Sequence, residues 1–365
     1  MSNFLSIVWY RILPPRYGGQ KGIAHFNENL AEKVSLTCLC SSNNEINQLL
    51  PYSLLNTLPT SKLQFWNPLV RRRILSTIRS GSFTHIIIEH PYHGWLGAYK
   101  QKEKFRFIVH AHNIEHLRMK ARKKPWWKFV RSIEEQAFSF ADHILFKTEE
   151  DKLTALKLFS IPPSRCLVIP FGIDAERQPQ MSAEQRRRIK DEFGIREERM
   201  LVFASSPDYE PNSNAIETIT KNIVPLLEKK SFRYKLLITG DLSKTQTQQL
   251  TKCPNIIPTG FVSSFEDLIQ AADVFINPVI HGSGTQTKNI EAVAMGCNVV
   301  TSAFSSSGLP EYLINEKVFV SRDEDWDHFV ENIFLASSVS KPVPASFYYD
   351  YNWKMIIRQL LAKTL

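Results

Sequence analysis

The sequence predicts an α/β fold of two units, each a parallel sheet covered on both faces by helices. Three observations point there. Short, near-continuous apolar runs alternate with helically spaced segments, the pattern of strands buried on both sides and linked by crossover helices. The pattern stops in a polar, charged stretch over 174–199 and then restarts. At 365 residues the chain is longer than one hydrophobic core usually serves. The expected division is a first unit over 1–175, a second over 176–342, and a helical tail over 343–365 that packs back on the first.

In the first half, Phe4 to Tyr10 is an apolar strand, broken by Pro14, Pro15, Gly18 and Gly19. Ile23 to Ala31 has helical spacing, and Val34 to Cys40 reads as the second strand. Residues 41–59 are polar and irregular, and Pro68 to Ile78 reads as a short basic helix. Thr84 to Ile88 is a strand closed by Glu89-His90-Pro91. Arg106 to Val109 is another, closed by His110-Ala111-His112-Asn113. Trp126 to Phe140 is helical, and His143 to Phe146 and Cys166 to Ile169 are strands.

In the second half, Met200 to Ala204 is a strand, and Asn212 to Leu227 carries apolar residues at helical intervals. Tyr234 to Thr239, Ile256 to Pro258, Val274 to Asn277 and Asn298 to Thr301 are strands. Phe265 to Ala271 and Lys288 to Met295 are helices, the latter stopped by Gly296. Trp326 to Leu365 is largely helical. Folds of this kind bind ligands at strand C-termini, so a crevice between the two units is the expected site.

Composition narrows the function. The five Cys are scattered and odd in number, against a secreted disulfide scaffold or a structural zinc site and in favour of a reducing, cytoplasmic compartment. Met1 to Tyr10 lacks a basic region and a cleavage site, so it reads as a strand rather than a signal peptide. No apolar run is long enough to cross a bilayer. The net charge is +9, and Lys100 to Arg131 alone holds eleven Lys or Arg against two Glu. That segment accounts for the whole excess.

The chemistry-bearing segment runs from Ala272 to Gly296. A buried strand, Val274 to Asn277, leads into His281-Gly282-Ser283-Gly284-Thr285-Gln286-Thr287-Lys288 and then a helix. Free backbone N–H groups at such a helix start suit phosphate oxygens. Gly282 and Gly284 permit close approach, Lys288 adds a point charge, and Glu291 is placed to accept hydrogen bonds from ribose hydroxyls. A plain strand–turn–helix with an acid favoured by the dipole is the alternative. No Gly-Lys-Ser/Thr follows the loop, and no Gly-x-Gly-x-x-Gly follows the first strand, which disfavours ATPase and nicotinamide-dehydrogenase readings.

Residues 272–296 resemble the signature of the retaining family 4 glycosyltransferases (glycosyl transferases group 1), and the resemblance extends over nearly the whole chain. It implies the GT-B fold: two Rossmann-like domains facing across a central cleft. Gly18-Gly19 is similar to the family's N-terminal glycine loop near the sugar-nucleotide phosphates. His112, in His-Asn-Ile-Glu, sits where the family places a histidine facing the donor sugar. Residues 168–174, Val-Ile-Pro-Phe-Gly-Ile-Asp, resemble the interdomain crossing, and Pro211-Asn212 resembles a pair found in one branch. Gly260-Phe261-Val262 resembles the loop that cradles the base. Glu291 resembles the second, ribose-binding glutamate of Glu-x7-Glu. Two departures stand out. Ser283 replaces the first glutamate, and Ser205 to Glu210 lacks the usual glycine and basic diphosphate clamp.

What the resemblance implies is a hexosyl transfer from a nucleoside-diphosphate sugar to a glycan or lipid-linked acceptor, with retention, in envelope or surface polysaccharide synthesis. The donor is the nucleotide sugar, and neither a further cofactor nor a metal is expected. Backbone N–H groups at Gly19 and around Gly284, Thr285 and Gln286, with Lys288, steady the leaving diphosphate. His112 holds a sugar hydroxyl, or is a strand-end histidine satisfied by backbone. Glu115 and His116 line the acceptor side or form a solvated face. The alternatives are a non-catalytic sugar-nucleotide-binding GT-B protein and a GT-B sugar-nucleotide epimerase. A nucleic-acid-binding protein would leave the glycine loop without purpose, and no nucleic acid partner is expected. Residues 117–131 interleave Arg118, Lys120, Arg122, Lys123, Lys124, Lys128 and Arg131 with Leu117, Met119, Trp126, Trp127 and Phe129. Adjacent Trp residues among cations suit an anionic membrane surface, so a peripheral position at the inner face of the membrane is expected. Packing of both Trp rings against the first sheet is the alternative.

Overall fold

The structure is a computed structural model that describes residues 2–15, 17–47, 49–174, 176, 178–205, 210–240, 242–262, 264–282 and 284–365. It divides into two units, Met1–Gly172 with Tyr351–Leu365, and Ile173–Asp350.

Among the described residues the first unit is built on seven strands: β1 (Asn3–Val8), β2 (Ser35–Ser41), β3 (Ser53–Leu58), β4 (His85–Glu89), β5 (Arg106–Ala111), β6 (His143–Phe146) and β7 (Cys166–Val168). They lie in the order β3-β2-β1-β4-β5-β6-β7, with every described pairing parallel. The apolar runs hold the interior of this sheet because they are buried on both faces. Ile86 and Ile88 point into one core with Phe107, Val109 and Phe138, and Ile87 and Ile108 point into the other with Phe26 and Trp353. The second core is closed by the helices Gly18–Ala31 and Trp353–Thr364, so the C-terminal helix is part of this unit. A Cβ on Gly172 would lie 2.3 Å from the Trp353 ring, which fixes how closely the crossing segment approaches that helix.

Among the described residues the second unit has six strands: β8 (Arg199–Ala204), β9 (Tyr234–Thr239), β10 (Ile256–Gly260), β11 (Val274–Asn277), β12 (Asn298–Ser302) and β13 (Val318–Ser321). Their order is β10-β9-β8-β11-β12-β13, again parallel. In both sheets the strand order reverses once, between β1 and β4 and between β8 and β11, and such reversals open a crevice at the strand C-termini.

Several sequence expectations are corrected. Residues 41–59 are not all irregular: they contain β3, an edge strand whose alternating exposure hides it from a search for apolar runs. Gly18-Gly19 is not a loop but the first turn of the helix Gly18–Ala31. The polar stretch after Asp174 carries a helix, Ala183–Glu192, started by a reciprocal Ser182–Gln185 capping box. The helix expected from Asn212 runs over Glu210–Lys229 with a π turn at Ile219–Ile223. Pro225 follows at once, and the wider turn accommodates its missing N–H. Glu115 and His116 do not form a solvated face, because both are buried.

Candidate functional site

In the second unit the ends of β8, β9 and β10 are braced against one another. Ser205 N donates to Thr239 O, and Gly240 N donates to Gly260 O, each at 2.9 Å. Gly240 has φ 110°, and a Cβ there would come within 2.0 Å of the Ser205 carbonyl, so only glycine fits. Across the reversal, β11 ends at Asn277 and the chain enters the glycine loop. Gly282 and Gly284 both take positive φ, 141° and 77°. The helix Thr287–Ala294 then begins with no side-chain cap from Gln286 and no acid in its first turn. Its first N–H groups therefore have no side-chain acceptor from the cap. Thr285 Oγ1 is buried without a hydrogen-bond partner among the described residues.

Lys288 is turned inward under this loop. Its Nζ lies 3.0 Å from Asn212 Oδ1, 3.3 Å from Ala204 O and 4.5 Å from the centre of the Phe203 ring. Burial pushes its amine down to about 7. The helix is anchored from below by an all-polar buried chain. Asn277 Nδ2 donates to Asn289 Oδ1 at 2.9 Å, and Asn289 Nδ2 donates to Ser305 O at 2.8 Å. Glu291 is half-buried on the same helix. These residues gather Lys288, Gly282, Gly284, Thr285, Gln286 and Glu291 on one loop–helix segment next to the end of β8. The loop Gly260-Phe261-Val262 follows from the end of β10, two strands from β8. Phe261 is 89% exposed, and with Thr259 and Val262 it lines a groove of about 870 Å³ whose far wall is the helix Ala183–Glu192. None of Gly282, Gly284, Lys288 or Glu291 lines that groove. Ser283 and residues 206–209 lie outside the described residues.

In the first unit the strand ends carry a cluster of charged and polar rings. Glu89 closes β4, directly opposite His110 in the β4–β5 register. Its buried carboxylate takes His110 Nδ1 at Oε1 over 3.2 Å and His112 Nε2 at Oε2 over 2.5 Å. The His90 ring stacks on His112 at 4.5 Å, and Tyr10 OH at the end of β1 reaches His90 Nε2 at 3.3 Å, across the strand reversal. Burial opposes ionisation of Glu89, but His110 and His112 outweigh it and hold the carboxyl well below the usual range. Burial, with His110 and His90 nearby, keeps His112 well below the ordinary imidazole value. Lys147, just past β6, is lowered by burial to about 8, and its Nζ has no hydrogen-bond partner among the described residues. Among the described residues, Glu89, His110 and His112 are the group whose ligand-type atoms fall within 4.8 Å of one another. The two nitrogens facing Glu89 pair with its oxygens, and the Lys147 ammonium supplies the balancing charge.

Behind this cluster, Glu134 accepts from the backbone N–H groups of Glu115 and His116 and from His116 Nδ1. Tyr92 OH donates to Glu115 at 2.9 Å. Glu115 and His116 thus start the short helix Glu115–Ala121 from inside the unit. Gly18 and Gly19 lie at the start of the helix after β1, which also has no side-chain cap. Glu89, Lys147, Glu134 and Asn289 were given no role from the sequence. The one available signal was a polar residue at the C-terminal end of an apolar strand, which Glu89 and Lys147 both satisfy.

The basic segment forms a surface. Trp126 and Phe129 are 52% and 49% exposed, and the Trp66 ring, from the turn before the helix Pro68–Gly81, lies 5.9 Å from Phe129. Lys124 sits over Trp126, and Lys120 and Lys128 sit over Trp127. Leu63 and Leu69 beside Trp66 are also exposed. The Trp126 ring is therefore not packed into the sheet. No helix of the described residues is long and apolar enough to cross a membrane.

Two Rossmann-like units, each with its polar residues at the ends of parallel strands around a single strand reversal, define the GT-B class of glycosyltransferase architecture. Residues 18–177 match the family model described as Glycosyltransferase Family 4, and residues 198–336 match that of Glycosyl transferases group 1. The chain belongs to this glycosyltransferase family, and its chemistry is sugar transfer. Solved structures agree on the fold. HepE of Anabaena, solved with UDP, is 12% identical with a TM-score of 0.77, covering 99% of each chain. A glycosyltransferase from Rickettsia africae is 14% identical with a TM-score of 0.73, covering 99% of this chain and 98% of its own. WaaG, a glycosyltransferase of lipopolysaccharide biosynthesis, is 14% identical with a TM-score of 0.69, covering 98% and 95%. No curated protein matches by sequence.

Proposed function

We propose that the protein moves a hexosyl group from a nucleoside-diphosphate sugar to a glycan or lipid-linked acceptor, with retention at the anomeric carbon. The observation that carries this reading is the loop–helix segment Gly282–Glu291, with two positive-φ glycines and an uncapped helix start beside the end of β8. An uncapped start offers convergent N–H groups to a diphosphate. The reacting bond breaks as negative charge builds on the leaving diphosphate, so donors fixed in advance around that charge stabilise the transition state. Lys288 under the loop adds charge when protonated. Glu291 holds the ribose hydroxyls, and Gly260, Phe261 and Val262 contact the base. In the first unit, Gly18 and Gly19 approach the phosphates and His112 accepts a hydroxyl of the sugar. HepE has been solved with UDP and UDP-glucose, which favours a uridine nucleotide as the first donor to test.

The acceptor reading rests on the surface around Trp126. Exposed Trp and Phe rings among Lys and Arg suit the headgroup layer of an anionic membrane, and nucleic acid gives no comparable reason for Trp66, Trp126 and Phe129 together. A peripheral position on the cytoplasmic leaflet and a role in envelope polysaccharide synthesis follow. Incubating the protein with radiolabelled nucleotide sugars and a lipid extract tests the reading. Label should pass to a lipid or glycan product with release of nucleoside diphosphate. Conversion of the sugar with no acceptor present would indicate an epimerase instead.

A further inference from the structure

Glu89 faces two imidazoles by different nitrogens, accepting from His110 Nδ1 at Oε1 over 3.2 Å and from His112 Nε2 at Oε2 over 2.5 Å. The two rings belong to one strand end, two residues apart, with centroids 4.4 Å apart. A buried carboxylate accepts and does not donate, so each nitrogen facing it must carry the proton. The surroundings hold that state. Glu89 and His110 are fully enclosed, Phe26 covers the His110 ring at 4.8 Å, and His90 covers the His112 ring. The remaining nitrogen of His110, Nε2, is buried without a partner among the described residues. Lys147 is the facing cation, from the end of β6, and Tyr10 approaches from the end of β1.

We propose that Glu89 is a positioning residue that locks His110 and His112 in opposite neutral tautomers, leaving His112 Nδ1 as a bare acceptor for a sugar hydroxyl, with Lys147 as the counter-charge. The proposal rests on the reading that His112 meets the transferred sugar. Its physical content goes beyond that reading. An imidazole fixed as the Nε2–H form accepts through Nδ1 and cannot donate there, so it selects a hydroxyl that offers its proton. A carboxylate behind a histidine sets tautomer and ring orientation without itself reacting.

The test uses the full-length protein labelled with 15N-histidine, with signals assigned through His110→Gln and His112→Gln. At pH 7.5 His110 should appear as the Nδ1–H tautomer, the form intrinsically less favoured in water, while His112 appears as Nε2–H. This measurement needs no Glu89 variant. Finding His110 as Nε2–H, or either ring as imidazolium, overturns the proposal. The second arm compares transfer rates. Glu89→Gln should lower kcat by about 10–100-fold with KM for the donor little changed, the scale seen when an orienting partner behind a functional histidine is removed. The double variant with His112→Ala should lose no more than His112→Ala alone, since Glu89 acts through that ring. Additive losses would assign Glu89 a purely structural role and overturn the proposal. Full activity in His112→Ala would overturn the sugar contact itself, and the spectra still decide the tautomers.

Discussion

Lys288 Nζ lies 3.0 Å from Asn212 Oδ1, so the loop–helix segment after β11 is tied to the helix that follows β8. The link spans the strand reversal of the second unit, where a ligand phosphate is expected. Lys288 is therefore both a brace and a charge whose state depends on what binds above it.

That dual role predicts a proton linkage. With its amine near 7, Lys288 is partly neutral in the free protein at physiological pH. A diphosphate beside it favours the ammonium form, so binding takes up a proton above pH 7 and affinity falls as pH rises, approaching about tenfold per unit once the amine is fully neutral. Below about pH 6 the amine is already charged and this dependence disappears. Calorimetry in buffers of different ionisation heat should report proton uptake at pH 8 in the wild type and its loss in Lys288→Met. Equal uptake in both proteins would remove Lys288 from the phosphate site. In steady-state assays Lys288→Ala should lower turnover more than donor binding.

The second unit's stability should depend on one carboxylate. Asp273, 7% exposed, meets Lys190 at 2.5 Å, Arg186 at 3.0 Å and Arg199 at 3.6 Å, and accepts from Met200 N at 2.7 Å. It fastens the helix Ala183–Glu192 to the starts of β8 and β11. Asp273→Ala leaves these cations and a backbone N–H uncompensated. Removing one partner of a buried pair costs about 3–5 kcal/mol, and because Arg186 and Arg199 are half-exposed the expected loss is about 2–3 kcal/mol. Urea unfolding measures it, and a change below about 0.5 kcal/mol, the scale of an exposed ion pair, would contradict the account.

Much of the fold was legible in the sequence because parallel strands buried on both faces leave unbroken apolar runs, as at Ile86-Ile87-Ile88 and Phe275-Ile276. β3 was hidden because an edge strand keeps a solvated face. The glycine loop was legible because Gly282, Gly284, Lys288 and Glu291 are neighbours in sequence. The Glu89 cluster was not. Glu89 and His110 stand 21 positions apart, and only the β4–β5 register brings them together. Lys147 joins them through a third strand end. No local spacing encodes such a group. The environment of Phe261 was not legible either, since exposure at a strand end depends on the wall opposite.

The surface around Trp126 predicts membrane binding. Each Lys or Arg near an anionic leaflet adds about 1 kcal/mol, and the exposed rings add burial in the headgroup layer. The protein should sediment with anionic vesicles at low salt, not with neutral ones, and should dissociate as salt rises. Replacing Lys123, Lys124, Trp126 and Trp127 together should abolish sedimentation while nucleotide affinity stays intact. Wild-type protein remaining in the supernatant with anionic vesicles at low salt would point to a soluble acceptor.

The central claim is that the Gly282–Glu291 segment binds a nucleoside diphosphate, with Glu291 on the ribose. Titration calorimetry of the wild type and Glu291→Ala with UDP, GDP and ADP tests it most directly. The account predicts measurable binding of at least one nucleotide by the wild type, weakened in the variant by about 1.5–3 kcal/mol, the worth of hydrogen bonds to a charged group. Equal affinity in the two proteins, or no binding of any of the three nucleotides by the wild type, would contradict it.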